Sequence, residues 1–201
     1  VAAENCKNDL KTGCVQEFPD EMQGIMGGVL VRHQNYFEKS EQNELMAKTI
    51  EEHYLPLGGG SSLPKNKLSL VLSLADKFDS LCLMLNSGVE VKGNKDIFGL
   101  RRLAISIGRI LGARLESSET ILPISFKELY VIWSESCSTV HQNTFSLKKE
   151  GIVFDFVLER FKALFKEEFD VRSVDAVTKI MLNMPLSSCR KFIDAVNKNF
   201  S

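Results

Sequence analysis

Apolar residues recur along this chain at three- and four-residue steps, the period of one face of a helix. Leu10, Cys14 and Phe18 predict a first helix, and Met22, Ile25, Met26, Val29 and Leu30 a second, the two meeting at Pro19. Ser40 is a candidate cap for a third, whose stripe of Leu45, Met46, Ile50 and Tyr54, with His53 at its edge, stops at Pro56. Residues 57–64, rich in Gly and Ser, predict a flexible loop, because glycine loses too much backbone freedom inside an element. The run Leu68, Val71, Leu72, Leu74, Ala75, Phe78, Leu81, Cys82 and Leu85 is apolar over much of its circumference and predicts a deeply buried helix stopped by Gly88.

After a turn through Lys92-Gly93-Asn94-Lys95, Asp96 is a candidate N-cap for a helix burying Leu100, Leu103, Ala104, Ile107, Ile110 and Leu111. Ser125 and Glu128 stand at the spacing of a capping box. The polar stretch Glu135 to Thr144 predicts a loop or a weak boundary. Beyond it Ile152, Val153, Phe156, Val157, Phe161, Leu164 and Phe165 describe a long amphipathic helix, and two shorter helices near Ser173–Leu182 and Leu186–Phe200 complete the chain. No alternating strand pair and no internal repeat interrupts the series, so the predicted fold class is all-α.

Composition narrows the functions such a chain can have. At 201 residues, 44% hydrophobic and 25% charged, it can bury the core of one or two globular domains. The formal net charge of -1 argues against a surface given over wholesale to phosphates, so any nucleic-acid contact must be a local patch. Five cysteines, Cys6, Cys14, Cys82, Cys137 and Cys189, are odd in number and widely spread, which indicates reduced thiols in a cytoplasmic protein and no disulfide framework or zinc knuckle. No stretch of about 18 apolar residues predicts a membrane span, and the N-terminal residues lack the blocks of a secretory signal. Val1 in place of an initiator Met predicts a piece of a longer protein.

Four strings carry a resemblance. They are Cys6-Lys7-Asn8-Asp9-Leu10 with Glu17-Phe18-Pro19-Asp20-Glu21-Met22-Gln23-Gly24-Ile25-Met26-Gly27; Ile50-Glu51-Glu52-His53-Tyr54-Leu55-Pro56; Leu74-Ala75-Asp76-Lys77-Phe78-Asp79-Ser80-Leu81; and Gly93-Asn94-Lys95-Asp96-Ile97-Phe98-Gly99-Leu100-Arg101-Arg102. In this order they resemble the β subunit of the two-α, two-β bacterial glycyl-tRNA synthetase. Asp20 is inserted relative to that family's pattern, and Ile97 and Gly99 replace its Pro and Ala. Phe156-Val157-Leu158-Glu159-Arg160-Phe161 and Val174-Asp175-Ala176-Val177 resemble, more weakly, a segment that precedes the family's anticodon-binding domain.

The resemblance implies an HD-like helical domain over 1–135 and a helical extension over 136–201 that leads toward an absent anticodon-binding domain. It implies membership of a glycine–tRNA ligase, with tRNA(Gly), the α subunit and the remaining β-subunit domains as partners. ATP and Mg belong to the α subunit, so the fragment itself is expected to hold no cofactor and to be non-catalytic, serving as a scaffold and tRNA-binding segment.

Candidate chemistry fits that division. An HD-type phosphohydrolase needs a histidine, an adjacent His-Asp pair and a later aspartate converging on one cation. Here His33, His53 and His141 precede Gln34, Tyr54 and Gln142, so no metal site is predicted and His53 and Asp76 stand as vestigial positions. Asp76 and Asp79 share part of one helical face and are expected to pair with cations or backbone N–H groups. Lys92, Lys95, Arg101, Arg102 and Arg109 gather cations around one turn and one helix, and are the tentative tRNA contacts, since arginine's planar fork suits phosphate oxygens. Phe154, Phe156, Phe161, Phe165, Phe169 and Trp133 fall at helical spacings and read as core. No serine or cysteine has a suggestively placed histidine, so nucleophilic catalysis has no support. Two other functions remain open: a metal-dependent HD-type phosphohydrolase, because Leu74-Ala75-Asp76-Lys77 also resembles (p)ppGpp hydrolases, and a module that only binds protein.

Overall fold

The computed structural model describes residues 1–13, 22–58, 60–91, 96–113, 122–140 and 150–199, and every regular element among them is helical. In chain order these are α1 (Ala2–Asn5), α2 (Ile25–Gln34), α3 (Ser40–Glu52), α4 (Lys67–Ser87), α5 (Leu100–Leu111), α6 (Phe126–Val140), α7 (Glu150–Lys166), α8 (Val171–Val177) and α9 (Leu186–Asn197), with 3-10 turns at Asn8–Lys11 and Thr178–Ile180. The all-α class is thus observed. None of these helices is long and apolar enough to cross a membrane. The chain packs as two units, Val1–Asp76 and Lys77–Ser201, and α4 contributes to each.

In the first unit the buried face of α2 differs from the expected one. Ile25 and Val29 lie 42% and 46% exposed, while Gly27, Gly28 and Val31 are buried. The reason is close approach to α3: a Cβ on Gly27 would lie 2.7 Å from Ile50 Cγ2, and one on Gly28 would lie 2.4 Å from Glu51 Cγ. A periodicity of large apolar side chains cannot register a contact made by their absence. One turn beyond, the Arg32 guanidinium grips Glu44 at 2.8 and 3.0 Å and also Glu51, tying α2 to α3. That hydrogen bonding holds the Glu44 carboxyl down at about 2. Cys6, Val31, Met46, Ala47 and Ile50 form the core between them.

Local signals at the helix ends are met unevenly. The expected helix through Leu10 is a 3-10 turn with Leu10 40% exposed, and Cys14 and Phe18 lie outside the described residues. Ser40 is the first helical residue and makes no cap bond; the entry to α3 is held instead by Asn43, which accepts from the Phe37 N–H at 3.0 Å and donates to the Phe37 carbonyl at 2.5 Å. Gly88 does end α4, at φ 95, where Gly88 N–H donates to Leu85 and Val89 N–H to Met84, the paired bonds of a Schellman turn. Leu68 and Val71, expected inside, are 54% and 46% exposed, so α4 is buried on a narrower stripe.

In the second unit Phe126 is the centre of an aromatic core, its ring centroid 5.0 Å from Phe78, 5.7 Å from Phe154 and 5.8 Å from Phe161. The capping box at the start of α6 is present: Ser125 N–H donates to Glu128 at 2.8 Å, and Glu128 N–H to Ser125 Oγ at 3.1 Å. Hydrogen bonds from Ser125 hold the Glu128 carboxyl below its ordinary pKa. The polar stretch after Glu135 is not a loop at its start. Helix α6 continues to Val140, and Ser134, Ser136 and Ser138 each return a hydroxyl hydrogen bond to a carbonyl of the preceding turn. Helix α7 buries Val153, Val157, Phe161 and Phe165, leaving Ile152 54% exposed.

Helices α5 and α7 meet at Gly108, where a Cβ would lie 2.6 Å from Leu164 Cδ1 and 2.9 Å from two ring atoms of the fully buried Phe161. Replacing Gly108 by Ala would add about 1 kcal/mol of helix propensity, but overpacking a core costs about 1–3 kcal/mol. Because Phe161 has no room to yield, the Gly108→Ala chain is expected to lose stability by about 1 kcal/mol net, read as a lower urea midpoint at unchanged m-value. A raised midpoint would show that the two helices can part without cost.

Candidate functional site

Two of the four strings singled out in the sequence, and the opening residues of a third, meet in the first unit. Asp9, 2% exposed, accepts the Gly24 N–H at 2.8 Å and the Leu10 N–H at 3.0 Å, placing a carboxylate at the start of α2 where the helix dipole favours negative charge. Gly24 has φ 79, and a Cβ there would lie 2.9 Å from the Tyr54 ring and 3.1 Å from the Ile50 carbonyl. Both conditions require glycine.

Lys7 reaches Asp76, its Nζ 3.1 Å from each carboxylate oxygen, and lies 4.2 Å from the centroid of the Tyr54 ring. Burial opposes the lysine's charge, but Asp76 and Tyr54 outweigh it, so its pKa lies above the usual 10.5. Burial also pushes the Cys6 thiol and the Tyr54 hydroxyl up. His53 is fully buried, its Nδ1 2.5 Å from the Ile50 carbonyl and its ring centroid 4.1 Å from that of Tyr54.

These residues do not fit an HD-type cation. The Asp76 carboxylate is committed to an ammonium, one His53 nitrogen to the backbone, and among the described residues no three His, Cys, Asp or Glu side chains converge as ligands. Asp79, expected to pair as Asp76 does, instead accepts the Trp133 indole N–H at 2.9 Å. Nothing in the sequence around Lys7 signals its role, because its partner is 69 positions away.

The fourth string opens α5 in the second unit. Asp96 does cap the helix, but across a turn: Gly99 is the N-cap residue, at φ 67, while the Asp96 carboxylate accepts the Leu100 N–H at 2.7 Å and the Arg101 N–H at 2.9 Å. Arg102 is exposed, and its guanidinium lies 3.0 Å from where a Cβ on Gly99 would be. Arg101 and Arg109 are half-buried, as is Leu103, whose spacing predicts a core position. Lys92 and Lys95 lie outside the described residues.

A cation that sequence reasoning missed joins this end of α5. Arg160 of α7 donates to the Phe156 carbonyl at 3.0 Å, with its guanidinium carbon 3.9 Å from the Phe156 ring centroid. Burial, and after it the charge of Arg101, lower the Arg160 pKa, against the opposing charges of Glu159 and Asp96. The four-residue spacing of Phe156 and Arg160 was the available signal. Phe156 is therefore only half-buried under Arg160, and is not the core residue expected. Elsewhere in this unit, Leu122, Pro123, Ile124, Val131 and Ile132 line a shallow apolar depression of about 700 Å3.

Geometry of this kind defines an all-helical module whose most specific residues lock helices together in one unit and whose other unit carries exposed and half-buried arginines on α5. A sequence model of the family described as glycyl-tRNA synthetase beta subunit matches residues 1–179, and the chain belongs to that family. It is 37% identical to the glycine–tRNA ligase beta subunit of Rickettsia prowazekii over 182 residues, 90% of this chain and 24% of that one. Against the same subunit of Thermodesulfovibrio yellowstonii the identity is 32% over 198 residues, 98% of this chain and 26% of the relative. The Magnetococcus marinus subunit is 45% identical over 105 residues, 52% of this chain and 14% of the relative. The chain thus spans about a quarter of the length of the first two relatives.

The Lys7–Asp76 pair has side chains 38% and 25% exposed, so solvent screens it and Lys7→Met is expected to cost about 1 kcal/mol at neutral pH. Since the folded-state pKa of Lys7 is raised, its contribution is present below 10.5 and fades as the pH rises through the folded value. Thermal unfolding of parent and variant should therefore differ by a constant amount from neutral pH to about 10 and converge above it. A gap that persists undiminished at higher pH would assign the loss to packing and not to charge.

Proposed function

We propose that this chain is a helical scaffold and tRNA-binding segment of a glycine–tRNA ligase beta subunit, presenting the Arg101, Arg102 and Arg160 surface to tRNA(Gly) while the chemistry occurs elsewhere in the enzyme. The observation that carries this reading is the cationic side of α5, where Arg102 is exposed and Arg101 and Arg109 are half-buried. Arginine's planar fork suits phosphate oxygens, which makes this helix the best-placed cationic surface for an RNA backbone. Family membership supports the choice of tRNA as that anion.

On this reading the alpha subunit and the rest of the beta subunit are the protein partners, ATP and Mg are used in the alpha subunit, and the assembly works in the cytoplasm. The near-neutral net charge is consistent with a local footprint of a few phosphates. Lys92, Lys95 and Arg109 belong to the same proposed contact. A phosphohydrolase role is not favoured, because Asp76 would have to release Lys7 to bind a metal.

Filter binding of a tRNA(Gly) transcript at several salt concentrations tests the proposal. Arg101→Ala/Arg160→Ala should weaken binding several-fold and lower the slope of log K against log salt by roughly 1 for each phosphate no longer neutralised. Equal affinity and equal slope for parent and variant would remove this surface from the interface.

A further inference from the structure

We draw no further inference here: the strongest candidate, the shallow apolar depression that Leu122, Pro123, Ile124, Val131 and Ile132 form at the start of α6, carries none because nothing in the structure shows what covers it.

Discussion

How closely two helices can approach is set by the smallest side chains between them, and both units of this protein depend on glycines at such a contact. In the first, Gly27 and Gly28 let α2 settle against Ile50 and Glu51 of α3, which brings Arg32 within reach of two carboxylates. In the second, Gly108 lets α5 settle against Phe161 and Leu164 of α7. A methyl group at Gly27 or Gly108 would press on a buried side chain of the facing helix, and one of the two would have to shift.

Two polar side chains of the N-terminal string meet partners far away in sequence. Asp9 is almost fully buried and is held by the Gly24 N–H, while Lys7 meets Asp76. Both come from one short N-terminal string, so that string is explained by fold: one residue completes the start of α2 and the other anchors the segment to α4. His53 and Asp76 are occupied with a backbone carbonyl and a lysine. The fourth string differs, because beyond the Asp96 cap Arg102 is exposed and Ile97 and Phe98 are covered only in part, along a depression shared with Val89 and Val91. That contrast separates residues spent on stability from residues available to a partner.

Much of the fold was legible in the sequence. The helical period located α3 to α9, the Gly88 stop and the Ser125–Glu128 box appear as expected, and the four ordered strings led to the family. The period failed where contacts are made by glycine, so that Ile25 and Val29 were assigned inward. It failed again where serines bond back into their own helix, so that the start of the Glu135–Thr144 stretch read as loop. Of the proposed site, Arg101 and Arg102 were visible because they are adjacent and charged. Arg160 stands out in the sequence only as one residue of an amphipathic helix.

By itself the sequence determined what is local: which stretches are helical, where caps and stops fall, and which family the strings resemble. Those properties depend on residues within a turn or so of one another. Tertiary structure alone decided that Ile25 and Val29 face outward, that Lys7 belongs with Asp76 across 69 positions, and that Asp79 meets the Trp133 indole. Such outcomes depend on which surfaces come together when the helices pack, and a one-dimensional pattern holds no record of the distance between residues on different elements.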